Sequence, residues 1–129
     1  VRVDGRVAGE LPRPGLLVLL GVAADDGPDD VRTMVRKIAG LRVLRGELGA
    51  QEAGAPVLLV SQFTLMGSTA RGRRPSWSAA ARGDVAEPLV DAVETGLREL
   101  GLEVATGCFG AEMEVHSVND GPFTVLVET

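Results

Sequence analysis

The sequence predicts an α/β fold, a single domain over residues 1–129 in which mixed and antiparallel β-sheets carry two main helices packed outside them. Three observations lead there. Residues 16–23 and 56–60 are continuous apolar runs, too short for most helices and bounded by Gly and Pro, the pattern of buried strands. Residues 31–41 and 85–100 place their apolar side chains at helical spacing. Alternating segments broken by Asp4-Gly5 and by Asn119-Asp120-Gly121-Pro122 mark a hairpin and a tight turn.

Taken in order, residues 1–7 alternate apolar and polar around Asp4-Gly5, and two prolines in 9–14 end that hairpin. Residues 16–23 read as a central strand. Acidic residues and Pro28 then open a helix whose core face is Val31, Met34, Val35, Ile38 and Leu41. Residues 41–44 read as a short strand, and 45–54 as a Gly/Ala-rich connection without periodicity. The strand ending at Ser61 is followed by a long loop, 66–83, rich in Gly, Arg, Ser and Pro. Loops of that length inside a compact domain are usually functional or disordered. Asp84 and Glu87 resemble a capping box for the second helix, which Gly101 is placed to stop. Residues 102–105, 112–118 and 123–127 read as the remaining strands.

Composition limits the function classes. With 129 residues and 45% apolar content, the chain is long enough to bury a core. No apolar run approaches the ~20 residues of a membrane span, and nothing resembles a signal peptide, so a soluble, cytoplasmic protein without membrane contact is expected. One Cys and one His exclude an internal disulfide and a structural zinc site within one chain. A net charge of −5 argues against general polyanion binding, so any nucleic-acid contact must be local. Arg71, Arg73 and Arg74, with Arg82 further on, are the one place that qualifies; a solvated loop is the alternative. With three Phe, one Trp and no Tyr, a platform for many bases is out, but one base on one aromatic is not.

Two stretches carry the chemistry. Ser61-Gln62-Phe63-Thr64-Leu65 ends a dry strand in polar groups, which need partners because a buried unpaired hydroxyl or amide costs about 1–3 kcal/mol. Two readings are open: side chains that cap neighbouring backbone, or a pocket floor with Phe63 as a stacking surface. Asn119-Asp120-Gly121-Pro122-Phe123-Thr124 is a good turn; its Gly-Pro bond can also adopt the cis form, presenting backbone atoms to a ligand. The usual catalytic sets are missing. His116 stands alone in an alternating segment, Cys108 has no nearby cation, and no phosphate loop, metal cluster or nucleophile elbow is present. Thr64 and Ser61 are hydroxyls without an evident base.

Together, and with Val3-Asp4-Gly5, Gly15-Leu16-Leu17-Val18, Gly72-Arg73-Arg74-Pro75-Ser76-Trp77 and Phe109-Gly110-Ala111-Glu112-Met113, these stretches resemble the D-aminoacyl-tRNA deacylase family over nearly the whole chain. The resemblance implies a barrel-like core, no cofactor or metal, and a homodimer with active sites at the subunit interface. The implied substrate is the aminoacylated 3′ end of tRNA: the ester to a D-amino acid, and with it glycyl-tRNA, is hydrolysed. Gly121 and Pro122 would form a cis corner that enters the partner's pocket and excludes L side chains. Ser61, Gln62, Phe63 and Thr64 would line the catalytic site, Asn119 and Thr124 would hold the corner, and Met113 would line the pocket. Arg71, Arg73 and Arg74 would meet tRNA phosphates. Because Thr64 lacks a base, the terminal ribose 2′-OH is the preferred assisting group. The family pattern also implies a further strand before Val1, carrying an arginine that fixes the Gly-Pro loop, and a longer connection at 45–54. The competing readings are a non-catalytic nucleotide or RNA-end binding module, and a small-molecule hydrolase with Thr64 as nucleophile.

Overall fold

A computed structural model describes residues 1–121 and 123–129; Pro122 lies outside the described residues. The chain opens with a hairpin of β1 (Arg2–Val3) and β2 (Arg6–Val7), in which Arg2 pairs with Val7 and Val3 with Arg6. Its turn residues Asp4 and Gly5 have φ of 50° and 75°, the double left-handed turn that matches the twist of paired strands. Next comes β3 (Leu16–Leu20), then α1 (Pro28–Gly40) and, after a short α2 (Ala50–Ala53), β4 (Val57–Ser61). A 3₁₀ turn (Phe63–Met66), α3 (Gly83–Glu99) and β5 (Val104–Thr106) complete the order.

The main sheet has three parallel strands in the order β3-β4-β5, with Leu16 opposite Val57 and Val57 opposite Val104. Parallel neighbours need crossovers, and α1 and α3 supply them. β4 lies in the middle, and its first four residues are buried on both faces. By the alternation of a strand, Val57 and Leu59 meet the main core with Val35, Ile38, Val93 and Leu97 from the helices. Leu58 and Val60 face the other way, onto Val1, Leu11, Met113 and Val115. Both long helices show the apolar stripe read from the sequence, and Pro28 occupies the first turn of α1.

Several expectations are corrected. β3 is an edge strand rather than a central one, and Leu17 and Leu19 stay exposed on the face away from the helices. The strands do not close into a barrel among the described residues; the larger sheet is parallel and only the small hairpin is antiparallel. Residues 112–118 and 123–127 form no strands: Glu114 makes an isolated bridge to Arg2, and Val118 and Leu126 are 93% and 87% exposed. Alternation makes a segment two-faced, but a strand exists only where another edge accepts its hydrogen bonds. Residues 41–44 likewise give only a Leu44–Leu48 bridge. The first turn of α3 has no side-chain cap, since Arg82 takes the cap position and Asp84 lies inside the helix. No helix among the described residues is long and apolar enough to cross a membrane.

At the start of α1 the Asp30 carboxylate accepts the Gly27 N–H at 2.9 Å. That bond, with the Thr129 side chain second, holds the Asp30 carboxyl below its ordinary 3.8. A folded-state value below the unfolded one stabilises above pH 3.8, and the benefit fades as pH falls through the folded value. Asp30→Asn is therefore expected to lower the thermal midpoint near neutral pH, with the gap to wild type closing in acid. Melting curves across that range check it; a gap independent of pH would contradict it.

Candidate functional site

The site forms where β4 runs out. Ligands in open parallel sheets gather at the carboxyl ends of the strands, and Ser61 marks that end. Ser61 lies opposite Leu20 and is half-buried, and the ladder continues one residue further through the Gln62 N–H to the Leu20 carbonyl, 2.8 Å. At Gln62 the backbone turns (φ −145°, ψ 85°), and the next four residues wind into the 3₁₀ turn. The Leu65 N–H reaches the Gln62 carbonyl at 3.2 Å, and the Gly67 N–H reaches the Thr64 carbonyl at 3.0 Å. The N–H groups of Phe63 and Thr64, at the start of that turn, meet no acceptor among the described residues.

The side chains arrange accordingly. The Gln62 amide donates to the Thr64 hydroxyl at 2.6 Å. Thr64 thus has its oxygen fixed as an acceptor while its own proton stays free to donate. No His, Asp or Glu bonds to it among the described residues. An amide cannot take a proton from a hydroxyl, so this arrangement orients Thr64 without activating it as a nucleophile. Phe63 is 58% exposed and meets Trp77 edge-on, with centroids 5.5 Å apart and planes at 75°. Trp77 in turn lies over Gly67, where an added Cβ would come within 2.4 Å of Cζ3 and 2.9 Å of the Thr64 carbonyl oxygen. The sequence reading gave Trp77 no role; only the folded loop brings it to Phe63.

The long loop has a frame. Ser68 and Ser76 exchange backbone hydrogen bonds of 2.8 and 2.9 Å, and Ala79 and Ala81 are tied to Ala24 and Val22 beyond β3. Arg71, Arg73 and Arg74 project from the resulting tip, all exposed and without an ion-pair partner among the described residues. Arg82 pairs with Asp84 at 3.4 Å.

The second stretch lies elsewhere. Asn119 and Thr124 hydrogen-bond through their side chains at 3.0 Å, and the Gly121 N–H bonds the Asn119 carbonyl at 3.0 Å. Asp120 is held by Arg45, whose Nη2 lies 2.7 and 2.9 Å from the two carboxylate oxygens. That carboxylate raises the Arg45 pKa above its ordinary value. The turn carrying Arg45 sits on the C-terminus of α1, with Gly49 against the Gly40 carbonyl, near where β4 begins. Ser61 to Thr64 lie beyond its other end, and a five-residue strand spans about 16 Å. Met113 is half-buried in the second core, against Gly107. His116 pairs with Glu114 at 3.2 Å, and Cys108 is exposed. No cluster of metal-ligating side chains occurs among the described residues. A cavity of about 220 Å³ lies by Arg13, Gln51 and Glu103, away from both stretches.

A family profile described as D-Tyr-tRNA(Tyr) deacylase matches residues 1–128. A D-aminoacyl-tRNA deacylase of Kineococcus radiotolerans is 62% identical over 128 residues, covering 99% of this chain and 91% of the relative. One from Corynebacterium efficiens is 61% identical over 131 residues, with the same coverage. Among solved structures, a c-Myc DNA unwinding element binding protein superposes with a TM-score of 0.90 at 34% identity, covering 99% of this chain and 90% of that one. A probable eukaryotic D-amino acid tRNA deacylase gives 0.72 at 17% identity, covering 82% and 80%, a likeness of fold.

The packing of Trp77 on Gly67 is open to a direct check. Gly67→Ala is expected to push the indole off Phe63, with overpacking of about 1–3 kcal/mol. Trp77 is the single tryptophan, so its emission reports the change without interference. A red shift is expected, and an unaltered spectrum would show that the contact does not constrain the ring.

Proposed function

This chain belongs to the D-Tyr-tRNA(Tyr) deacylase family, and from that premise we propose that it hydrolyses the ester joining a D-amino acid to the terminal adenosine of tRNA. Free D-amino acid and tRNA are the products, and the setting is the cytoplasm, where aminoacylated tRNA is found. The observation that carries this reading is the open end of β4. Among the described residues it offers an oriented hydroxyl, two free N–H groups and an aromatic face, and no acid–base pair. Such a site suits an already activated ester, for which positioning and polarisation are enough.

In this scheme the N–H groups of Phe63 and Thr64 polarise the ester carbonyl and receive the charge that develops on its oxygen as water adds. The terminal ribose 2′-OH assists, and the sugar oxygen leaves. Thr64, held by Gln62, orients the ester; Ser61 completes the polar floor, and Phe63 faces the adenosine. Arg71, Arg73 and Arg74, on the loop closed by Ser68 and Ser76, meet phosphates of the acceptor end. The Asn119–Thr124 corner, whose Asp120 is held by Arg45, serves a second copy's site. The protein then works as a homodimer, with Met113 near the pocket. The exposed apolar residues Val118, Phe123, Val125 and Leu126 suit burial against that copy.

Gly121 and Pro122 act there as the selectivity element, by a Gly-Pro bond in the cis form. Their main-chain atoms occupy the space an L side chain would need, so selection is by exclusion, and glycyl-tRNA, with no side chain to exclude, is also cleaved.

Incubating the chain with D- and L-aminoacyl-tRNA in parallel tests this function. The D ester is expected to be cleaved and the L ester to survive. Equal cleavage of both would refute it, and adenosine binding without cleavage would favour the RNA-end binding module, which the missing base also permits. For Thr64→Ala, turnover is expected to stay within about tenfold of wild type. Removing a true nucleophile typically costs about 10⁴-fold or more, and a loss of that size would make Thr64 the nucleophile.

A further inference from the structure

We propose that Arg45 is a positioning residue for substrate selection, aiming the Asn119–Thr124 corner through its ion pair with Asp120; this rests on the reading of that corner as the selectivity element. Three observations lead to it. First, the guanidinium engages both carboxylate oxygens: Nη2 at 2.7 and 2.9 Å, with Nε at 3.3 Å from Oδ2. Two-point contact constrains direction as well as distance, unlike a single contact to an ammonium.

Second, Arg45 projects from a firm base. Leu44 packs against the main core and its N–H bonds the Leu48 carbonyl at 3.1 Å, closing a turn in which Gly46 has φ 79°. Third, the corner is well tied within itself and weakly tied to the fold. The Asn119 side chain bonds Thr124, and the Gly121 N–H bonds the Asn119 carbonyl. Among the described residues from 112 onward, however, the Arg2–Glu114 bridge is the one backbone pairing with another segment. Among the described residues, the Arg45–Asp120 pair is the hydrogen-bonded tie between residues 117–125 and the rest of the domain.

The function follows from the steepness of exclusion. Steric rejection works only while the blocking atoms stay in place, so a corner that swings away admits the wrong hand before it loses the right one. An exposed ion pair biases an equilibrium only about two- to fivefold and is weakened by salt, so the contribution is graded.

The test uses the full chain as wild type, R45Q, D120N and the charge-swapped double variant R45D/D120R. Amide hydrogen exchange over residues 117–125 and the L-to-D hydrolysis ratio are measured, each at low and high salt. Both single variants are expected to exchange faster over that segment. Their L-to-D ratio should rise about two- to fivefold, the bias of an exposed pair, with high salt moving wild type toward them. The swapped pair is expected to recover both readouts, which a merely structural role for either side chain would not produce. Unchanged exchange in the single variants, or faster exchange with an unchanged ratio, overturns the proposal. If wild type cleaves neither ester, the proposed activity fails on its own, and the exchange comparison still decides whether Arg45 holds the corner.

Discussion

The double burial of β4 is the constraint on which the rest depends. A parallel strand with apolar residues on both faces must have a layer on each side. α1 and α3 provide one layer, and Val1, Leu11, Met113 and Val115 begin the other. The strand must also stop where its polar residues start. At Ser61 the ladder has one more bond to give, from Gln62 to Leu20, and then the chain turns. The 3₁₀ turn, the freed N–H groups and the Gln62–Thr64 contact all follow from ending a dry strand at that point.

The chemistry available there is economical. A hydroxyl oriented by an amide, and two donors that meet no acceptor among the described residues, can hold and polarise a carbonyl but cannot move a proton for it. On the proposed reading this is sufficient, because the substrate arrives as an activated ester with its own hydroxyl alongside. Discrimination is then a matter of shape. It is assigned to a corner in which Asn119 bonds Thr124 and Asp120 bonds Arg45. On the same proposed reading, the strand end of one copy and the corner of another are complementary halves of one arrangement.

The sequence by itself determined the local elements. The Asp-Gly hairpin, α1, α3 and the strands at 16–20 and 57–61 were legible because periodicity and turn chemistry act over a few residues and here agree with the final packing. It also determined the polar ending at Ser61–Thr64. Only the tertiary structure decided that β3 is an edge strand, that among the described residues 112–118 keep a single bridge, Glu114 to Arg2, and 123–127 none, that Trp77 meets Phe63, and that Arg45 reaches Asp120 across 75 positions. The physical reason is common to all four. Each depends on which edges and side chains meet after the chain has closed on itself, and neither residue of such a pair carries a local pattern that names its partner.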